Sequence, residues 1–364
     1  MKSKSGVSRN SDVTKAIEEV LSGITAPAGI IFFCDYNRLE KFAKELHERF
    51  PTAQIIGTAG RTYCNDVIDD SNIFTVTALT AEAKVSAGVM KHLATAPLSD
   101  LNNLEASLKE VDPKNNDTVC IEICTNHEER LVSTMNVALS KYSVDLIGAT
   151  TFGAPEGKAA KVCVNGKLYE NACAFMVVKN LSGKVFIYKE NIYAKANFPT
   201  HVATKVNRET KELIQLDNRP AAEVYASDTG LSRDQIVGNV FQQPLGRVLG
   251  DDVFICSMYD IGKDGSLVNY KQFGENDAVT VLQLQDYREI LSQTKDELSR
   301  QCSQISTMIS FNCIYRYLLF EQEGFTQDYL KSMAKVCDNV GYVAGGEQFK
   351  RQHVNQTMVC AVFE

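Results

Sequence analysis

Ile55-Ile56-Gly57-Thr58-Ala59-Gly60, Leu146-Ile147-Gly148-Ala149-Thr150-Thr151-Phe152-Gly153 and Tyr342-Val343-Ala344-Gly345-Gly346-Glu347-Gln348-Phe349 are three copies of one ending. In each, an apolar run breaks into small, glycine-containing residues. Upstream of each copy stand another apolar run and a helix-like stretch, and a further strand follows. The unit therefore reads strand, helix, strand, glycine turn, strand. A strand end that turns on small residues lets backbone approach a ligand closely.

The first copy opens with Ala28-Gly29-Ile30-Ile31-Phe32-Phe33-Cys34, and Asn37 to Arg49 follows as a helix with Leu39, Phe42, Ala43 and Leu46 on one face. Gln54 to Ile56 returns into the turn, and Ile73 to Leu79 supplies the closing strand. The second copy opens with Val119 to Cys124, continues through a helix over Asn126 to Tyr142, and returns at Val144 to Ile147. Strands at Ala160 to Val164 and Ala172 to Val178 follow, joined by the hairpin signal Asn165-Gly166. The third copy runs from Thr307 to Cys313, through a helix over Gln327 to Val336, to the closing strand Thr357 to Phe363. A long amphipathic helix over Asp286 to Cys302 precedes it.

Helical crossovers permit parallel pairing and the hairpin adds antiparallel strands, so the expected fold is α/β with mixed sheets. At 364 residues the expectation is two domains, with a ligand cleft between them or at strand ends. Residues 1–26 are expected to form a helix, capped at Ser11-Asp12, that packs on a first domain at 27–216. A second domain is expected at 217–364, the break lying near Leu216 to Pro220 in the turn-rich stretch between the second and third copies.

A hydrophobic fraction of 44% and a charged fraction of 23% suit a folded chain. The formal charge of −7 argues against a broad nucleic-acid-binding face, which would be basic. The eleven cysteines are odd in number and contain no CxxC pair, and most sit in apolar runs, so they read as buried reduced thiols in a reducing compartment. No apolar run approaches the roughly 18 residues of a membrane span, and no signal-peptide core follows Lys2, Lys4 and Arg9. A cytoplasmic location, without membrane insertion, is the expectation.

Arg219-Pro220-Ala221-Ala222-Glu223-Val224-Tyr225, Pro244-Leu245-Gly246, Asp264-Gly265-Ser266-Leu267, Gly346-Glu347-Gln348 and His353-Val354-Asn355-Gln356-Thr357 occur in this order. By them the chain resembles the bacterial FIST sensory proteins, with their FIST N-terminal and C-terminal domains, over most of its length. The resemblance implies a cytoplasmic signal-input module that binds a small molecule, an amino acid or a derivative. It implies a relay to a histidine kinase, a cyclic-dinucleotide enzyme or a chemotaxis-type receptor. The chain stops at the family's last strand, so a separate partner is expected to carry the signal. One branch of the family is similar to haem-dependent nitric-oxide sensors, which makes haem the alternative ligand; otherwise no cofactor is expected.

The closing segment is the leading site candidate. Glu347, Gln348, His353, Asn355 and Gln356 lie between the Gly345-Gly346 turn and an apolar strand. The turn's N–H groups and an arginine would meet a carboxylate, Glu347 an ammonium group, and Asn355 or Gln356 the remaining donors and acceptors. The bland alternative is that Glu347 and Asn355 tie down the turn's backbone. Arg316, three residues beyond Cys313, and Arg61, directly after the first turn, are further candidates for an anionic group. His353 is the candidate haem ligand, set against a structural role. No metal site is expected. Nothing spells a catalytic constellation, and the chain is not expected to be an enzyme; a Cys34 or Cys313 nucleophile would need a low-pKa thiol.

Overall fold

The structure is a computed structural model that describes residues 1–364 except Asn115, Asp251 and Ser303. Its fold is α/β with mixed sheets, and the three copies of the repeat are three versions of one strand arrangement. In each copy the first strand pairs parallel with the second and antiparallel with the closing strand. These are Gly29–Cys34 with Gln54–Ala59 and Phe74–Ala81, then Thr118–Cys124 with Asp145–Thr150 and Ala172–Asn180. The third set is Thr307–Cys313 with Asn339–Ala344 and Thr357–Phe363.

After each turn the chain leaves its own sheet and adds a hairpin strand to another copy. Thr62–Cys64 of the first copy pairs with Asn339–Ala344 of the third. Val162–Val164 of the second pairs with Gln54–Ala59 of the first, and Glu347–Phe349 of the third pairs with Asp145–Thr150 of the second. The exchange is cyclic, so every sheet is completed by a neighbour.

The glycines at mid-strand provide room for this. Gly57, Gly148 and Gly341 sit in register beside Phe32, Glu122 and Ser310. A Cβ on Gly57 would lie 2.5 Å from the Phe32 ring, and one on Gly341 would lie 2.2 Å from the Tyr63 hydroxyl. They are strand glycines that admit a bulky neighbour. The turns themselves are made by Gly60 and Gly153, whose φ values of +143° and +92° disfavour other residues.

Helices cover the outer faces by apolar spacing. In Val13–Leu21 and Leu39–Arg49, the residues Ala16, Ile17, Phe42 and Leu46 share a core with Phe32 and Phe74. The Phe42 and Phe74 rings stack at 4.3 Å. Strand alternation sends Phe33 the other way, onto Tyr342 at 5.2 Å and edge-on to Phe311 at 6.4 Å. The Asp12 side chain caps the first helix by accepting the Lys15 N–H at 3.0 Å.

Three sequence expectations change. Residues 1–26 hold a strand as well as a helix, because Lys2–Ser8 pairs antiparallel with Phe74–Ala81. The Asn165-Gly166 turn forms its hairpin, with φ of 47° and 80°, but the partner of Val162–Val164 is Lys167–Tyr169; Ala172–Asn180 belongs to a different sheet. The third copy has an additional helix, Ile314–Gln322, before Thr326–Ala334. The compact units of the chain are not contiguous in sequence. One unit comprises Met1–Lys189, Gln293–Gln352 and Met358–Glu364, and the other Glu190–Ser292 with His353–Thr357. The strand exchange is the physical reason, since Glu347–Phe349 completes the second copy's sheet and Thr62–Cys64 the third's, each from the other side of residue 216.

The second unit is built on antiparallel pairs. The strand Tyr193–Asn207 is flanked by Ala278–Leu284 and Glu212–Leu216, and Leu245–Leu249 lies between Ala278–Leu284 and Asp252–Cys256.

Candidate functional site

The carboxyl ends of parallel strands are where open α/β sheets bind ligands, because successive loops diverge there. In the first unit the ends of all three copies meet at one cleft of about 500 Å³. Asp35, Tyr36 and Asn37 come from the end of Gly29–Cys34, and Gly60 and Arg61 from the end of Gln54–Ala59. Phe152 and Gly153 follow Asp145–Thr150, and Ile314, Tyr317 and Leu318 follow Thr307–Cys313. A hollow of about 600 Å³ beside Pro113, Asp117, Thr118 and Tyr142 is larger, but it lies at the amino end of its strand.

The floor of the cleft is locked by Tyr342. Its hydroxyl accepts the Phe152 N–H at 2.7 Å and lies 2.9 Å from the Ala59 carbonyl and 2.7 Å from that of Phe152. Burial pushes the Tyr342 hydroxyl far above its ordinary pKa, so it keeps the proton it donates. The first and second turns are thus held together by one side chain of the third copy.

Arg61 is the principal cation of the wall. Its guanidinium stacks on the Tyr317 ring, 4.8 Å from the centroid, and donates to the Tyr317 hydroxyl and to Asp70, whose carboxylate Nε reaches at 3.2 Å. Burial opposes its charge, but Asp70 and Tyr317 outweigh this and raise its pKa. Asp35 contributes an acid, paired with Arg38 at 2.6 Å. Phe152 and Leu318 present exposed apolar surface to the same cleft. A cation, acids and apolar surface in one concavity can receive a zwitterion with an organic side chain.

The residues expected at the closing segment divide between the two units. Gly345, Gly346, Glu347 and Gln348 belong to the first, where Glu347–Phe349 pairs with Asp145–Thr150 and the two glycines bond the Thr150 backbone. The Gly345 N–H donates to the Thr150 carbonyl at 2.9 Å, and the Gly346 carbonyl accepts the Thr150 N–H at 2.9 Å. Glu347 and Gln348 are fully buried, and the Gln348 amide donates to Thr150 Oγ1 at 3.1 Å. Arg316 is also buried in this unit, with Nη1 donating to Asn312 Oδ1.

His353, Asn355 and Gln356 belong to the second unit. Asn355 Oδ1 accepts the Ser257 N–H at 3.3 Å, and Gln356 donates to the Val240 carbonyl at 3.0 Å. The His353 carbonyl accepts from Lys271 Nζ. These contacts tie side chains to backbone, which is the structural alternative to ligand contact. Sequence reading named Arg61 but missed Asp35, Asp70, Phe152 and Tyr317. Their only shared signal is position just beyond strand ends or, for Asp70, in the hairpin after the first turn.

Cys34 and Cys313 are buried, and burial pushes the Cys34 thiol well up, opposite to what a nucleophile needs. Among the described residues, no group of histidine, cysteine and acidic side chains is placed to hold a metal ion. No helix among them is long and apolar enough to cross a membrane.

Comparison with protein families gives the same layout. A FIST N domain matches residues 28–219, and a FIST C domain matches residues 221–350. The chain belongs to the FIST family. FIST domains are sensory domains of signal transduction, and this chain carries both. The FIST N match spans the first two copies of the repeat, and the FIST C match includes the third through Lys350. The family boundary at residue 220 therefore differs from the division into compact units. No curated protein matches the chain.

Proposed function

We propose that this FIST protein is a non-catalytic sensor that binds an amino acid, or a derivative of one, in the Arg61 cleft and relays the bound state to a separate signalling protein. The observation that carries the reading is the convergence of Arg61, Asp70 and Tyr317 with three sets of strand ends on one concavity. The ligand's carboxylate takes the Arg61 guanidinium, its ammonium group takes Asp35 and the neighbouring Asn37, and its side chain lies on Phe152 and Leu318. The relay partner is a histidine kinase, a cyclic-dinucleotide enzyme or a chemotaxis-type receptor in the cytoplasm of a bacterium. Haem is the weaker reading, because the described residues that line the cleft include no histidine.

Thermal-shift measurements across the amino acids test this, since a ligand that binds only the folded state raises the melting temperature. At least one amino acid should give a saturable rise that Arg61→Ala removes. A flat response to the whole panel contradicts the reading.

A further inference from the structure

His201 is bonded on both sides of its ring. Nδ1 lies 2.6 Å from the Asp217 carboxylate and Nε2 lies 2.8 Å from that of Asp228. Three elements of the second unit supply these side chains: His201 stands on the strand Tyr193–Asn207, Asp217 in the turn between Glu212–Leu216 and Arg219–Pro220, and Asp228 in the helix Ala221–Thr229. The turn has further bonds to the strand. Asp217 Oδ1 accepts the Val202 N–H at 2.9 Å, and the Asp217 and Asn218 amides donate to the Val202 carbonyl and to Thr204 Oγ1, each at 2.9 Å. The His201 and Asp228 side chains are 15% and 9% exposed, whereas that of Asp217 is 47% exposed.

A carboxylate accepts hydrogen bonds and cannot donate them, so each of the two ring contacts needs an N–H. Neutral imidazole has one, and imidazolium has two. The geometry therefore calls for the charged ring. Burial opposes that charge, but Asp217 and Asp228 outweigh it and hold the ring above its ordinary pKa. The Asp217 carboxyl is held below its own ordinary value by the Val202 N–H first, then by His201, with the charge of Arg219 adding to them. The strand Ala278–Leu284, which sets Val279 opposite His201, carries no titratable residue. Elsewhere on the three elements, Lys195 reaches the Gly250 carbonyl, Glu212 accepts the Thr210 hydroxyl, Tyr225 donates to the Gln243 carbonyl, Lys205 acts on Asp264, and Glu223 is exposed.

We propose that His201 is a proton-dependent staple that fastens the Asp217 turn to the helix Ala221–Thr229. The staple crosses the junction of the two family domains, since His201 and Asp217 fall within the FIST N match and Asp228 within the FIST C match. A ring that has lost its proton keeps its one N–H for Asp228, the carboxylate that water reaches less. Asp217, which water can solvate, lets go, and the turn loosens from the helix. A histidine whose pKa is raised by folding contributes stability that is fully present below its ordinary value of 6.5 and is lost as pH rises through the folded value. Rising pH thus releases a contact that lower pH keeps closed.

The experiment follows the histidine rings of the whole chain by NMR across pH, using carbon-labelled histidine. The resonance that is absent from His201→Gln and shifted in Asp217→Asn identifies the ring. Its midpoint in the wild type should lie above 6.5 and should fall in Asp217→Asn and in Asp228→Asn. A wild-type midpoint at or below 6.5, or one that neither substitution lowers, overturns the charged ring and the staple with it. Hydrogen exchange at the Asp217 and Asn218 amides, corrected for the intrinsic effect of pH, reads the fastening itself. It should quicken several-fold above the midpoint in the wild type and show no such step in His201→Gln. Equal protection on both sides of the midpoint in the wild type overturns the staple even if the ring is charged.

Discussion

Gly60 and Phe152 lie so close that a Cβ on the glycine would sit 2.3 Å from the Phe152 carbonyl oxygen. The turn of the first copy is therefore pressed against the turn of the second, and Tyr342 of the third clasps both. That three-way contact forms the floor on which the cleft is built. Gly60→Ala would meet both the carbonyl and the Tyr342 hydroxyl, at a φ of +143° that alanine resists. It should lower unfolding free energy by roughly 2–4 kcal/mol in urea titration. A change within about 0.5 kcal/mol, the range of surface substitutions, would show that the turns do not need this proximity.

Tyr342→Phe keeps the ring on Phe33 and removes only the clasp. It leaves the Phe152 N–H without its acceptor, a loss on the order of 1–3 kcal/mol. The same variant should weaken ligand binding by loosening Phe152, so urea melts and titration calorimetry ought to move together.

Glu122 gives a pH signature. It is fully buried on Thr118–Cys124 beside Gly148, where an added Cβ would lie 2.2 Å from its Oε1, and it accepts from the Cys173 thiol at 3.2 Å. Burial raises its pKa from 4.5 to about 8, against the pull of the bonds from Cys173 and Cys124. The unfolded carboxyl gives up its proton first as pH rises, while the native one holds it to about 8. The native state thus binds more protons across this window, and stability should fall by up to about 1.4 kcal/mol per pH unit between the two values. Glu122→Gln stays neutral throughout and should remove that slope. Urea melts of both proteins at several pH values decide it, and parallel slopes would count against a protonated Glu122.

The thiols should be silent in the native protein. All eleven cysteines are free and ten are buried, with Cys337 half-buried and its thiol pushed up to about 12 by burial. Alkylation at neutral pH should be slow at every site and reach all eleven only after unfolding. Rapid, selective labelling of Cys34 or Cys313 would revive the nucleophile reading.

The repeat was legible because its elements are local. The apolar runs, the helix faces of Leu39, Phe42 and Leu46, and the glycine breaks are all periodic signals within some ten residues. The exchange of hairpins was not, since nothing in Thr62-Tyr63-Cys64 says that its partner is Val340, more than 270 residues away. The same limit applies to the closing segment. Gly345-Gly346-Glu347 has the richest polar chemistry after it, yet the second copy's strand covers it. Arg61 was visible as a charge after a turn. That Tyr317 stacks on it depends on the helix Ile314–Gln322, whose short run mixes apolar and polar residues without a clear period.

The binding role of Arg61 separates from stability. Its pair with Asp70 is 33% and 49% exposed, so losing it should cost no more than about 1 kcal/mol. Calorimetric titration of amino acids into the wild type and into Arg61→Ala is therefore the direct test of the cleft. The account predicts saturable binding of at least one amino acid by the wild type and its loss in a variant that melts within a few degrees of it. Undiminished binding by the Arg61→Ala protein, or no amino acid bound by the wild type, would contradict it.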